Sequence, residues 1–447
     1  MEPLFYCLLL ADKLLKVGLF GCGLWLFFEV RKVKKNKLGT SKLQIERSKL
    51  TGDDGFILSK NFQLNFKKSC ENVVVIAPPG EGKTRSFFTT NLLNNCFPKS
   101  SIVIPDLKGE LWKSTADYQK SIGRKIIKFE ILGEEGFYNP LSNCDDFAEI
   151  RKLAINILEN AQVDKDNKNS EWISMSAPLL TAALLKENTI DKALDLIILN
   201  DEETLEKEFL KSNPQAQKQF LIFKTSLRSP GTVDSIRSTL ATSLALYGDI
   251  KLIKTISKNS FSPKDLREEP IALYISYEPS KAKYLSPFLG IFYTQLIEKT
   301  MDFYTENSLP VIFMLEELQN LGKIQGLESI LALNRIYEMP FLCCLQNISK
   351  LYDIYGQNNA MTILNCLKTK CILPSISDLE ALKYVSELCG ETEVIINHDK
   401  GKITKHSKKL FTPDEVRRLS NSNKNSDDTV LIIAHNKLPF VDKQYLI

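Results

Sequence analysis

The stretch Val73-Val74-Val75-Ile76-Ala77-Pro78-Pro79-Gly80-Glu81-Gly82-Lys83-Thr84 constrains this chain more than any other. A β-branched run passes at once into a Gly-rich turn ending in Gly-Lys-Thr, and Arg85 to Asn95 can continue as a helix. The order predicts a strand, a phosphate-binding loop and a helix. Gly80 and Gly82, with Glu81 between them, let backbone N–H groups approach phosphate oxygens. Lys83 neutralises β/γ charge, and the Thr84 hydroxyl can ligate Mg²⁺. The helix N-terminus adds the positive end of its dipole. Ala77 stands where the strict motif has its first Gly.

At 447 residues and 43% hydrophobic, the chain can bury a large core and divides naturally into two or three domains. A net charge of +4 permits a polyanionic partner without requiring one. The ten cysteines include no C-x-x-C pair and there are three histidines, so neither a zinc site nor a disulfide framework is indicated. A reducing, cytoplasmic setting for the main body follows.

The N-terminus differs. Val17 to Phe28 is an apolar run, preceded by apolar Pro3 to Ala11, with Asp12, Lys13 and Lys16 between them. A spanning helix needs about 20 apolar residues. Arg31, Lys32, Lys34, Lys35 and Lys37 follow directly, the pattern that keeps downstream residues in the cytoplasm. We therefore expect a membrane anchor over 1–30 and a basic juxtamembrane linker over 31–50. The alternative is an amphipathic or buried helix.

From Thr51 onward, strands and helices alternate. Ser101 to Ile104, Ile126 to Phe129, Ile271 to Ile275, Val311 to Leu315, Phe341 to Leu345, Lys370 to Leu373 and Val430 to Ile433 read as buried parallel strands. Ser377 with Glu380, and Thr412 with Glu415, read as capping boxes, and Gly390 as a helix stop. The expected fold class is α/β: a twisted, mostly parallel sheet with helices on both faces. Residues 146–256 show helical patterns and no strand, which predicts an all-α insertion between nucleotide-binding segments 51–145 and 257–447. Lys165 to Ser170 and Asn213 to Lys218 are read as loops within it, and Trp172 as a core anchor.

Three further constellations carry chemistry. Asp106-Leu107-Lys108-Gly109-Glu110 follows a strand, which puts the Asp106 carboxylate on the ligand edge of the sheet; the same residues equally suit a plain turn. Val311 to Leu315 ends in Glu316-Glu317. One carboxylate there can hold Mg²⁺ and the next can polarise the attacking water, Glu316 being the metal residue and Glu317 the base; an acidic helix start is the alternative. Gln346, ending the strand Phe341 to Leu345, can position water or report phosphate loss. Arg335 could act on a neighbouring subunit's nucleotide or be an ordinary surface charge.

Taken in order, the phosphate loop, Asp106 to Glu110, Asn139-Pro140-Leu141, Glu171-Trp172, Leu315 to Leu318 with Leu321-Gly322, Leu345-Gln346, Tyr355-Gly356 and Phe411 to Val416 resemble the type IV secretion coupling proteins, the conjugative DNA transfer ATPases of the TraG/TraD kind. The resemblance runs from about Asp54 to the C-terminus. It implies a hexameric motor anchored in the inner or plasma membrane, with a RecA-like P-loop NTPase domain, an inserted all-α domain and a central channel. Such a motor would bring DNA, single-stranded with bound relaxase, to the secretion channel and drive transfer by hydrolysing ATP with Mg²⁺. The resemblance assigns Lys83 and Thr84 to nucleotide, Glu316 and Glu317 to metal and catalysis, Gln346 to phosphate sensing and Arg335 to an arginine finger. Ala77, Glu316 in place of Asp, and Leu107 where proline is common depart from the pattern. They motivate a second reading, a docking scaffold with little turnover. A third is a DNA translocase of the FtsK/HerA kind.

Overall fold

The β-branched and aromatic runs form the strands of a single large sheet in the computed structural model, which describes residues 49–161, 169–226, 230–397, 403–419, 429–435 and 437–446. In chain order the strands are β1 (Ile57–Ser59), β2 (Phe62–Gln63), β3 (Val73–Ile76), β4 (Ser101–Pro105) and β5 (Lys125–Glu130). After a helical block come β6 (Ile271–Ser276), β7 (Val311–Leu315), β8 (Phe341–Leu345) and β9 (Thr369–Ile372). The remainder are β10 (Glu391–Asn397), β11 (Ile403–Lys409), β12 (Thr429–Ala434) and β13 (Phe440–Lys443). Nine of them align as β13-β12-β9-β3-β8-β7-β4-β6-β5, while β1-β2 and β10-β11 form separate two-stranded sheets.

From β9 to β5 every pairing is parallel. The phosphate-loop strand β3 lies between β9 and β8, with Val75 opposite Cys371 on one side and Cys344 on the other. All four of its side chains are fully buried. Each such burial contributes about 1.5–3 kcal/mol. One expectation needs correction: Val430 to Ile433 is a strand of this sheet but runs antiparallel to both β9 and β13. It is buried as deeply as its parallel neighbours, and an apolar run covered on both faces does not record its direction.

After the loop, Thr84–Thr89 winds as a π-helix into α1 (Thr90–Leu93), and α2 (Glu110–Ser121) follows β4. Between β5 and β6 lie α3 (Phe147–Asn160), α4 (Asn169–Lys186), α5 (Ile190–Leu199), α6 (Glu202–Leu210), α7 (Pro214–Ser226), α8 (Pro230–Leu244) and α9 (Ile250–Ile256). Asp and Asn side chains start several of them. Asp146, Asp201 and Asp249 each accept a backbone N–H from the first turn of α3, α6 and α9. Asn213 does the same for Ala216 at 2.9 Å. Asn213 to Lys218 is therefore a helix start with Pro214 in the first turn, rather than a loop. Of Lys165 to Ser170, residues 165–168 lie outside the described residues, and 169–170 already belong to α4. Trp172 packs half-buried against the core that this block shares with the sheet.

Beyond the block come α10 (Ala282–Asp302), α11 (Leu327–Leu333), α12 (Ile348–Tyr355), α13 (Gln357–Cys366), α14 (Leu379–Leu388) and α15 (Pro413–Arg417). Thr412 and Glu415 form the expected capping box on α15. At α14, however, the cap is Asp378, which accepts from Glu380 N, in place of Ser377. Gly390 follows that helix at φ 72°, as its stop. Gly52–Ile447 makes one compact unit. Among the described residues no helix is long and apolar enough to cross a membrane, and Val17 to Phe28 lies outside them.

Candidate nucleotide-binding site

Parallel strands bring their carboxyl ends to one edge, and here that edge collects the reactive side chains. The phosphate loop leaves β3, Asp106 follows β4, Glu316 and Glu317 follow β7, and Gln346 follows β8. Because β8 stands between β3 and β7, Gln346 is set between the loop and the paired acids. Gly80 and Gly82 take φ of 89° and 77°, a backbone that a side chain would strain. Ala77 does not take a positive φ; it is fully buried and its N–H donates to Leu345 O at 3.0 Å. A methyl group is therefore accommodated where the strict motif has Gly.

Glu317 is the hub. Lys83 Nζ lies 2.8 Å from its Oε1, Gln346 Nε2 donates to the same oxygen at 2.5 Å, and Asn320 Nδ2 donates to Oε2. Lys83 is 8% exposed. Burial alone would lower its proton affinity, but its hydrogen bond to Glu317 and the negative charge of Glu317 and Glu316 act in the opposite direction, and its pKa lies above the ordinary lysine value. Burial pushes the adjoining Cys344 thiol up to about 12, so it stands as a neutral neighbour at physiological pH.

The Thr84 hydroxyl donates to Glu316 Oε1, so those two oxygens meet at one point. Burial raises the pKa of Glu316 above the usual carboxylate value. Thr84 and Lys83 act against that rise, while Glu317 and Asp106 reinforce it. Asp106 is also shifted upward by burial, against the backbone N–H groups of Trp112, Leu111, Glu110 and Gly109. Trp112 N reaches its Oδ2 at 2.7 Å. Asp106 thus stands on the ligand edge and at the same time caps α2 from below, combining both readings of that turn.

Arg335 is not with these residues. It sits before β8, at the opposite edge of the sheet, with Nη1 3.6 Å from Glu71 Oε1 and its side chain 68% exposed. Glu81 is half-buried in the loop.

Several positioning residues escape a reading of sequence alone. Asn320 could have been inferred as a turn residue three beyond Glu317. Gln319 accepts from Gln346 N at 3.3 Å. Asp378 accepts from Ile348 N at 2.7 Å and from Ser349 Oγ at 2.7 Å, holding the start of α12 just after Gln346. At the far end of the chain, Gln444 accepts from Ser86 Oγ at 2.6 Å, and Tyr445 O accepts from Thr90 Oγ1 at 3.1 Å. A Cβ on Gly82 would lie 3.6 Å from Gln444 Oε1, so the strap reaches the loop itself. The loop after the acids is fixed too. Gly322, at φ 74°, approaches α10 so closely that a Cβ would fall 2.2 Å from Ser286 O.

A family profile described as "Type IV secretory system Conjugative DNA transfer" matches residues 29–446. The chain belongs to this conjugative DNA transfer family. Among curated relatives of this family member, the conjugal transfer protein TraG of Escherichia coli is 26% identical over 417 residues, covering 80% of this chain and 64% of the relative. VirD4 of Agrobacterium fabrum is 24% identical over 404 residues, covering 83% and 58% respectively. The chain thus spans somewhat under two thirds of the length of these relatives. A solved structure of the plasmid coupling protein TrwB in complex with ADP and Mg²⁺ superposes with a TM-score of 0.71 at 17% identity, covering 91% of this chain and 92% of that one. That likeness, with the mostly parallel sheet, identifies the fold of this conjugative transfer protein as RecA-like α/β.

Proposed function

We propose that this chain is the ATPase that couples a DNA–relaxase substrate to a type IV secretion channel and drives conjugative transfer by ATP hydrolysis. One observation carries the reading. The carboxylate expected to act as base, Glu317, is held by the phosphate-loop lysine, by the amide ending the strand between them and by Asn320. A docking scaffold has no need of that arrangement.

The residues fit a nucleotide with Mg²⁺. Thr84 and Glu316 present hard oxygen ligands at one point, and the burial of Glu316 beside two other carboxylates is relieved by a cation. When bound, Mg²⁺ would be held by Thr84 and Glu316 and would supply positive charge that neutralises the phosphates. The β/γ-phosphates would draw the Lys83 ammonium away from Glu317. Oε1 of Glu317 is then free to accept a proton from the attacking water, while Gln346 and Asn320 keep the carboxylate aimed. Once the γ-phosphate has left, Lys83 returns to Glu317, and Gln346 passes that change to α12. Glu81 and the loop glycines would line the phosphates, and Asp106 would support Glu316 from its seat under α2.

The reading extends to a homo-hexamer in which Arg335, on the far edge, completes a neighbour's site. It further extends to an all-α domain over 146–256, an anchor over 1–30 in the inner or plasma membrane, and a bulk that is cytoplasmic. ATP hydrolysis with and without single- or double-stranded DNA tests the core claim in wild type, Lys83→Ala and Glu317→Gln. DNA-stimulated hydrolysis, lost in both variants, is expected. Nucleotide binding without any turnover in the wild type would instead establish the scaffold. Mating efficiency in cells lacking the protein separates DNA transfer from chromosome handling.

A further inference from the structure

Beside the carboxyl ends of β4, β5 and β6 lies a cleft of about 690 Å³ that the nucleotide chemistry does not use. Its size falls within the ~300–1,000 Å³ of typical ligand clefts. Lys108, Lys113, Lys128, Lys251 and Lys281 line it, drawn from four separate segments, against Glu130, Asp249 and Glu278. Most of that acidity is already engaged. Glu130 lies 3.9 Å from Lys128, which also pairs with Glu135 at 2.9 Å. Asp249 accepts from Lys251 N at 2.8 Å and from the Tyr284 hydroxyl at 3.0 Å. Lys108, Lys113, Lys251 and Lys281 are exposed and form no ion pair among the described residues, although Lys251 also bears electrostatically on Asp249, and the five lysines of the lining outnumber its three carboxylates.

Half-buried Trp112 shares this wall, its ring held edge-on against Tyr274 at 5.4 Å and 87°. The Ser276 hydroxyl, also in the lining, is buried without a hydrogen-bond partner. Excess cationic charge beside a fixed indole is the combination that holds a single nucleic-acid strand, phosphates on the lysines and a base on the ring. A duplex, its bases already stacked inside, would use the charge but not the ring.

Two short connections join the cleft to the catalytic edge. Trp112 N donates to Asp106, which bears electrostatically on Glu316. On the other side, the Tyr277 hydroxyl donates to Asn320 O at 3.0 Å, and Asn320 holds Glu317. We propose that this cleft binds single-stranded DNA and that its occupancy reaches Glu316 and Glu317 through Asp106 and Asn320. The choice of DNA rests on the transfer function proposed above, whereas the site rests on its own geometry.

The test uses the full chain and a fluorescein-labelled oligothymidine, read by anisotropy over a salt series. Combining Lys113→Ala, Lys251→Ala and Lys281→Ala is expected to weaken binding about tenfold or more and to reduce the salt slope by about 2. The same variant keeps ATP binding and basal hydrolysis but loses the DNA-stimulated increment. Oligothymidine quenches tryptophan fluorescence in the wild type and in Trp172→Phe, but not in Trp112→Phe. Unchanged affinity and slope in the triple variant overturn the site. An equal loss of oligoglutamate binding, or tighter wild-type binding of a duplex than of oligothymidine, overturns the single-strand assignment. A wild-type chain that fails to bind ATP undermines the motor reading, yet leaves the oligothymidine measurement fully decisive for the cleft.

Discussion

Glu317 makes its case through its three donors. Glu317→Gln keeps one acceptor oxygen but turns an amide towards Lys83 and Gln346 or towards Asn320, and it removes the base. We expect turnover to fall about 10²–10⁴-fold with nucleotide affinity changed only slightly, as single-turnover kinetics and equilibrium binding will show. Glu316 gives a pH signature. Its folded pKa is raised by burial, so the folded protein holds that proton more tightly than the unfolded chain does. Stability from this group therefore falls as pH rises out of the ordinary carboxylate range. Glu316→Gln removes that loss, so without Mg²⁺ its melting temperature should rise relative to wild type as pH climbs from the ordinary carboxylate range towards neutrality. A difference that stays flat, or shrinks, across that interval would contradict the assignment. Lys83, Thr84 and the paired acids were legible because the chemistry demands those residue types at strand ends. Gln319 was not, since an amide in a turn leaves no periodic trace, and Asn320 was open to inference only as a turn residue.

At the scale of elements, the last residues of the chain form a strap on the phosphate-loop helix. Gln444 is 5% exposed and satisfies Ser86. Gln444→Ala leaves a buried hydroxyl unpaired, at a cost of about 1–3 kcal/mol in urea unfolding, and should weaken ATP binding because the loop loses its backing. Asp378 joins two elements, capping α14 while receiving N–H and O–H groups from the first turn of α12. Asp378→Ala should cost about 1–2 kcal/mol and lower kcat more than it raises KM, through the aim of Gln346. The eight strands read from sequence are those with apolar residues on both faces. The β10-β11 hairpin was missed because Ile403-Thr404-Lys405-His406-Ser407-Lys408-Lys409 carries neither an apolar run nor alternation. The four-residue β13 was too short to read, and the strap that follows it, Gln444 and Tyr445, depends on partners more than 350 residues away.

For the whole molecule, Arg335 and Lys83 stand at opposite edges of one sheet. In a ring where each copy completes its neighbour's site, Arg335→Ala and Lys83→Ala proteins are inactive apart, yet mixing them recreates intact sites at part of the interfaces. Equimolar mixing should recover about a quarter of wild-type hydrolysis if Arg335 acts between copies; if it is a surface charge, Arg335→Ala alone keeps its activity and the mixture keeps about half. The parallel α/β plan was readable from strand composition, but the direction of β12 and the closure of the sheet by β13 were not.

That closure has a consequence for assembly. One end of the sheet is β13, four residues long, carrying Asp442 and Lys443 and giving the Lys443 carbonyl to Lys60 N at 2.8 Å. The other end is β5, which places Lys125 and Lys128 on the outermost strand. Neither end offers a long, uncharged row of free main-chain groups, so copies at high local concentration are discouraged from zipping strand to strand into fibrils. Copies that do meet would do so through side chains rather than through shared main-chain hydrogen bonds.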